Sequence, residues 1–450
     1  MNYKKYNPVR GLTLKGKLLL KSLRAIYRLY HLAKRPDWNT VIPDHHEDPL
    51  KMTLTEKLYM GNKYYYKAMI KADAGSDLES HFQKQTLEFS KPENFIPTAK
   101  ITMSAGGDLI PYTCITPEST KHLWDDVGNY YFNNDIVLAN LETVASLEHP
   151  YSAAPEVMLA DMFFNIDEKT FDIFSGNHRF KGFDVLSTAN NHTMDLGEQG
   201  VLNTISFLEK NNIPYTGTAK NKESLHQFPI LERNGIQTAF IAATFSLNKE
   251  TLPEGKEWLC NHRFLNEANP DIAIIIEQAK IARERGADMV VACLHMGCAY
   301  QAYPSAHTVK NIHNICKQAD IDILIAGHPH NAQPFEILHH NNKQSLIAYS
   351  LGDFIAYDIF KWCHLPLIIK VEIEKGTVDS KPHTIISKFE VKPVYMYLNK
   401  DNELRLLDFM TLTADIDKYI KEPEVKKEVK ELEHFFHNFI IRKHQKVIAR

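Results

Sequence analysis

Between residues 100 and 353 the chain repeats one unit: an apolar run of strand length that ends, within a few residues, in a side chain able to bind a metal or carry a proton. Residues 100–108 (KITMSAGGD) close on Asp108, and 135–142 (DIVLANLE) close on Glu142. The run through Val185, Leu186 and Ala189 meets Asn190, Asn191 and His192. Residues 288–294 (DMVVACL) lead to His295, 321–326 to Gly-His-Pro-His at 327–330, and 346–349 to Leu351, Gly352 and Asp353. A further strand is expected at 238–244. Helical periods fall between them: from about 198 to 210, with Val201, Leu202, Ile205 and Leu208 on one face, then 271–285 and 305–318. Strands alternating with helices predict an α/β fold whose mostly parallel sheet is covered by helices. Ligands in such sheets bind at the carboxyl ends of strands. One Asp or His at a strand end means little, whereas recurrence at the same relative position predicts a shared site.

The donor types narrow the chemistry. Asp108, Glu142, Asn191, His295, His328 and His330 mix carboxylate, amide and imidazole with no thiolate, a set suited to Mn, Fe or Zn rather than to a cysteine-held zinc. They are too many for one tetrahedral ion. They fit one or two divalent ions, and a pair ~3.5–4 Å apart is the arrangement that clamps both oxygens of an in-line phosphoryl displacement. His192, beside Asn191, is the expected proton carrier. Asp195 either orients that imidazole or compensates the dipole of the helix that follows, and both readings stand.

Taken together and in order, GGD (106–108), NLE (140–142), ANNHTMDLG (189–197), HMG (295–297), GHPHNAQPFE (327–336) and SLGDF (350–354) resemble the CapA capsule-synthesis branch of the calcineurin-like metallophosphoesterase superfamily, over about residues 101–356. The resemblance implies a four-layer α/β/β/α sandwich with a metal centre at the strand ends, which the helical pattern before residue 98 precedes as an N-terminal helical extension. It implies that Asp108, Glu142, Asn191, His295, His328 and His330 are metal ligands and that His192 gives a proton to the leaving oxygen. It also implies a part in making or exporting poly-gamma-glutamate capsule. With the donor set, the expected function is metal-dependent hydrolysis of a phosphoester or related polyanionic substrate in capsule, poly-gamma-glutamate or cell-envelope polymer synthesis. Two alternatives remain: a non-catalytic metal-binding component of a membrane-bound polymer synthase, and an amidase or peptidase on a gamma-glutamyl polymer. Three positions depart from the pattern. Asp108 is followed by Leu109 and Ile110, so the superfamily's DxH imidazole is missing. HMGCAY at 295–300 stands where the branch usually reads HWGxEY. Asp353 stands where the branch often has Asn, and a turn cap is its expected role over an added site carboxylate.

Ser175-Gly176-Asn177-His178 is a rival copy of the Asn-His element, but it runs into Arg179, Phe180 and Lys181 and lacks the Asp, Gly and helix that follow His192. Cys298 is expected to be a bystander, and His122, His149, His226, His262, His307 and His313 show no ligand-like spacing. The first 36 residues hold ten Lys or Arg and no acid. Leu19, Leu23, Ile26 and Tyr30 on one face, with Lys17, Lys21, Arg24, Arg28 and His31 opposite, predict a basic amphipathic helix. Through residues 15–35 it either lies on an anionic membrane surface or docks on its own domain. Residues 43–97 read as a helical leader without visible chemistry. The expected division is a basic helical extension at 1–98, a CapA-like domain at 99–400 and a charged C-terminal region at 401–450, its helix spanning 424–450. A formal charge of -3 gives no reason to expect nucleic acid. Six cysteines without CxxC spacing read as reduced thiols, and no stretch reaches the ~20 apolar residues of a membrane span. A cytoplasmic protein, peripheral at the inner face of the membrane, is the expectation.

Overall fold

The strand-end residues are divided between two sheets in the computed structural model, which describes residues 12–34, 38, 46–158 and 162–449. In the first sheet β1 (Ile96–Leu109), β2 (Ile136–Leu141), β3 (Val185–Ser187) and β4 (Tyr215–Thr216) lie side by side in parallel. The second sheet holds β5 (Ile230–Arg233), β6 (Ile236–Thr244), β7 (Met289–His295), β8 (Ile323–Gly327), β9 (Phe335–His340) and β10 (Lys343–Ala348). There β6, β7, β8 and β10 run parallel, with β5 and β9 antiparallel at the two edges. The chain then returns to the first sheet. Strand β11 (Asp353–Ile355) pairs in parallel with β1, and β12 (Leu367–Val378), β13 (Lys381–Leu398) and β14 (Leu404–Asp408) extend the other side as antiparallel neighbours.

Helices α1 (Leu14–Ala33), α2 (Leu54–Tyr65) and α3 (Leu78–Lys84) precede the sheets. Helices α4 (Gly128–Phe132), α5 (Glu168–Phe174) and α6 (Gly197–Lys210) cover the outer face of the first sheet. Helices α7 (Ala273–Glu284) and α8 (Ala306–Ala319) pack on the second. The period-2 geometry of a strand explains the layering. Val137, Ala139 and Leu141 of β2 point into a cluster with Trp124, Tyr131 and Phe174. The intervening Ile136 and Leu138 point into another with Val185, Ala239 and Ile241, between the sheets. Buried on both faces, these strands read as continuous apolar runs. The result is the expected four-layer α/β/β/α arrangement.

Two segments differ from expectation. On α1 the packed face is Gly16, Leu20, Leu23, Tyr27 and His31, with Tyr27 stacked on Tyr65 and His31 Nδ1 3.1 Å from Asn62 Oδ1. A Cβ at Gly61 of α2 would collide with the Tyr27 ring, so this close approach needs glycine. Leu14, Leu18, Ile26, Leu29 and Leu32 are therefore left outside, between 48% and 75% exposed. The second difference is the C-terminal helix. After α9 (Phe409–Ala414) and α10 (Ile416–Tyr419), α11 (Pro423–Phe435) ends in a wide turn at Phe436–Ile440, and the backbone is extended at Ile441. Val391 N then donates to Val447 O and Ala449 N to Val391 O. Strand β14 pairs with β13 only from Val394 onward, so residues 447–449 satisfy backbone groups that would otherwise form an open edge.

Candidate metal centre

Asp108 ends β1, Glu142 follows β2, Asn191 and His192 follow β3, His295 ends β7, and His328 and His330 follow β8. Facing sheets bring these ends together. His295 Nε2 lies 2.8 Å from Asn191 Oδ1 and 3.6 Å from Glu142 Oε1. Asp108 accepts from Asn140 Nδ2 at 2.8 Å and from His328 N at 3.1 Å. Asp108, Glu142 and His295 each offer a donor atom within 4.8 Å of the others. The His328 ring centre is 5.3 Å from that of His295 and 5.7 Å from that of His330. A Cβ at Gly327 would stand 2.6 Å from Asp108 Oδ1, so only glycine lets the loop approach this carboxylate. His328 (φ 92°) and His330 (φ 62°) hold left-handed backbone conformations, a strain of about 1–3 kcal/mol each that clusters at functional sites.

The electrostatics fit a cation. Among the described residues none of Asp108, Glu142 and Asp353 pairs with Lys or Arg, and both Glu142 oxygens are buried without a hydrogen-bond partner. Burial, then Asp108, pushes the Glu142 carboxyl well up. Burial and the neighbouring imidazoles hold His295 far down, and burial lowers His328 against the opposing pull of Glu47. His328 Nδ1 also lacks a partner. Buried carboxylates crowded together beside neutral imidazoles with open lone pairs are stable when they coordinate a metal, so these residues fit one or two divalent ions. His330 Nδ1 is 2.9 Å from Asp353 Oδ1. Burial pulls this imidazole down, but Asp353 outweighs it and raises it to about 9. Asp353 is itself pushed up by burial, to about 6, despite His330. Asp353 is thus not a turn cap. It lies in β11 and holds His330 by Nδ1, leaving Nε2 for an ion, as supporting carboxylates do.

A cavity of about 370 Å³ opens on the centre, with Asn191, His192, His328, His330 and Tyr300 among its lining. His192 Nδ1 is 2.7 Å from Asp195 Oδ2, which also accepts from Phe164 N at 2.6 Å, and the ring stacks on Phe164. Asn191 is clamped by Asn248, its Nδ2 donating to Asn248 Oδ1 at 3.0 Å. Helices α1 and α2 form one wall through Tyr27, Lys57, Met60, Tyr64 and Tyr65. The segment that reads as a leader without chemistry also supplies Glu47. Its Oε2 lies 3.3 Å from His328 Nε2 and accepts from Ala299 N at 2.6 Å, while the carboxylate pairs with Lys63, both side chains fully buried. No motif or period marks Glu47. The rival His178 is 77% exposed and pairs with Asp172. Arg179 and Lys181 are taken by Asp125 and Asp184, and burial pushes the Cys298 thiol up.

The description "Bacterial capsule synthesis protein PGA_cap" belongs to a family model that matches residues 88–358, a span containing every donor named above except Glu47. The chain belongs to that family. Among relatives, "Capsule biosynthesis protein CapA" of Bacillus anthracis is 25% identical over 333 residues, 70% of this chain and 77% of the relative. "PGA biosynthesis protein CapA" of Bacillus subtilis (strain 168) is 25% identical over 224 residues, 49% of this chain and 53% of the relative. The alignment therefore spans about half of that second protein. Solved structures overlap loosely. The 5'-nucleotidase precursor of Thermus thermophilus aligns at a TM-score of 0.37 with 13% identity, over 75% of this chain and 58% of that one. Calcineurin-like phosphoesterase YfkN of Bacillus subtilis aligns at 0.36 with 10% identity, over 75% and 100%. Values this low add nothing to the fold described above.

Proposed function

We propose that this PGA_cap chain is a metal-dependent hydrolase of a phosphoester or related polyanionic substrate in capsule, poly-gamma-glutamate or cell-envelope polymer synthesis. The observation that carries the reading is the unpartnered Glu142 carboxylate among Asp108, Asn191, His295, His328 and His330, beside a buried His192–Asp195 pair on the same cavity. A bound Mn, Fe or Zn would supply the positive charge that attracts the anion and the acidity that turns water into hydroxide. Asp195 occupies Nδ1 of His192, so the proton for the leaving oxygen belongs at Nε2, and stacking on Phe164 fixes the ring plane. Asn248 holds the Asn191 amide, and Asp353 holds the His330 imidazole.

The same reading places the protein at the inner face of an anionic membrane. The outward Leu14, Leu18, Ile26, Leu29 and Leu32 of α1 are flanked by Lys15, Lys17, Lys21, Arg28 and Lys34, with no acid in the helix, the pattern of a helix lying in the interface. No helix among the described residues is long and apolar enough to cross a membrane. One observation favours the non-catalytic alternative: the only Lys or Arg among the described lining residues are Lys57 and Lys249, set against Glu47, Asp195 and Glu250, so a polyanion meets little positive wall. The deciding assay is turnover by metal-stripped, Mn²⁺-reloaded protein of bis-p-nitrophenyl phosphate and of a gamma-glutamyl oligomer. Cleavage of the diester, reduced roughly 10²–10⁴-fold in His192→Ala with Mn²⁺ uptake intact, supports the proposal. Cleavage of the oligomer alone indicates an amidase, and uptake without either reaction indicates an assembly component.

A further inference from the structure

A second cluster of metal-type donors stands apart from the strand-end centre and outside its cavity. Glu336 of β9 is 2% exposed, yet among the described residues no Lys or Arg pairs with it. Its charged partners are two imidazoles from distant parts of the chain. His81 Nε2 of α3 is 3.1 Å from Oε1, and His313 Nε2 of α8 is 2.9 Å from Oε2. Tyr349 OH donates to Oε2 at 2.8 Å. A buried carboxylate needs a compensating charge. Against burial, His313 and His81 pull Glu336 down to about 2, and Glu336 raises His81. The imidazoles therefore supply that charge when protonated, and a bound cation would supply it when they are neutral.

We propose that His81, His313 and Glu336 form a binding site for a borderline divalent cation, zinc foremost, which clasps α3 to α8 and β9. The donor set is two imidazoles and one carboxylate, which binds zinc with a water in the fourth position. One donor atom from each residue lies within 4.8 Å of the other two. At bond lengths of about 2.0–2.2 Å, donors around a tetrahedral ion stand roughly 3.3–3.5 Å apart. The observed 2.9 and 3.1 Å separations run to the two different oxygens of Glu336, so loading turns the carboxylate or a ring to bring one oxygen and both nitrogens to that spacing. His81, with 34% of its side chain exposed, leaves an approach for the ion and a place for its water. The cluster is prebuilt: Phe82, next to His81, is buried edge-on against Tyr349, the residue that also bonds Glu336. Helix α3 continues the segment whose Glu47 and α2 wall the catalytic cavity, so an ion here would pin that wall to the body of the protein.

The test does not depend on the proposed hydrolase activity. Zinc is titrated calorimetrically into metal-stripped full-length chain, comparing wild type, His81→Ala, His313→Ala and the strand-end variant His330→Ala. The expected result is a zinc equivalent that survives His330→Ala and weakens at least 10-fold in each of the other two, with zinc raising the melting temperature of His330→Ala but not of the double variant His81→Ala/His330→Ala. His81→Gln replaces His313→Ala if that half-buried substitution does not fold. Identical zinc isotherms for wild type and His81→Ala, or complete loss of zinc binding in His330→Ala, would overturn the proposal.

Discussion

Replacing Glu142 with Gln should stabilise the metal-free protein while abolishing its response to metal. Glu142 is fully buried, its oxygens have no hydrogen-bond partner, and Asp108 lies beside it. The amide keeps the shape, removes the repulsion and can donate to Asp108. Relief of a buried unsatisfied group is worth about 1–3 kcal/mol. Unfolding entropy of roughly 2.1 cal/mol/K per residue gives about 0.9 kcal/mol/K for a chain of 450 residues, so the gain is about 1–3 °C. The sign of the pH dependence follows from the raised carboxyl: a group that holds its proton more tightly when folded favours the fold below its ordinary value of 4.5, and that contribution is lost as the pH rises. The contrast with Gln is therefore larger at pH 8 than at pH 6. In Mn²⁺ at 100 times its dissociation constant wild type should gain about 2.7 kcal/mol, about 3 °C. A variant binding 100-fold more weakly should gain about 0.4 kcal/mol, less than one degree. The assay is thermal unfolding at pH 8 in chelator and in Mn²⁺. A Glu142→Gln protein that melts below wild type in chelator and keeps the full Mn²⁺ shift would refute the reasoning.

Three other outcomes are expected. In stripped protein the His330 imidazole, raised to about 9 from 6.5 by Asp353 against burial, contributes about 3 kcal/mol that is complete below pH 6.5 and lost as pH rises through 9. Asp353→Asn should flatten the urea midpoint over that window. Glu47→Ala removes the carboxylate that offsets the buried Lys63 charge, a loss of about 3–5 kcal/mol, read as a fall in melting temperature and faster protease cleavage between α1 and α3. Leu18→Glu with Leu29→Glu, both at exposed positions, should abolish sedimentation with vesicles containing anionic phosphatidylglycerol without changing the melting temperature, and unchanged sedimentation would remove the membrane surface from the account.

The strand-end donors were legible because their signal is local: an apolar run, a polar tip and then a helix can be read within about thirty residues. Which sheet each strand joins was not, since β7 and β8 differ from β1 and β2 in their partners rather than in their composition. Glu47 meets His328 across 281 residues, and His81 and His313 meet Glu336 only because α3, α8 and β9 pack together. Leucines lie on more than one side of α1, so periodicity allowed two stripes, and the Tyr27–Tyr65 stack selected the one that faces inward. The C-terminal apolar period continued past Phe435 on paper, but the open stretch of β13 favoured extended chain.

Elemental mass spectrometry on protein purified without chelator tests the central claim most directly, with wild type and His330→Ala both carrying His313→Ala so that only the strand-end centre is counted. One to two equivalents of Mn, Fe or Zn per chain, lost in His330→Ala, are predicted. Equal metal content in the two proteins, or none in either even after incubation with Mn²⁺, would contradict the account.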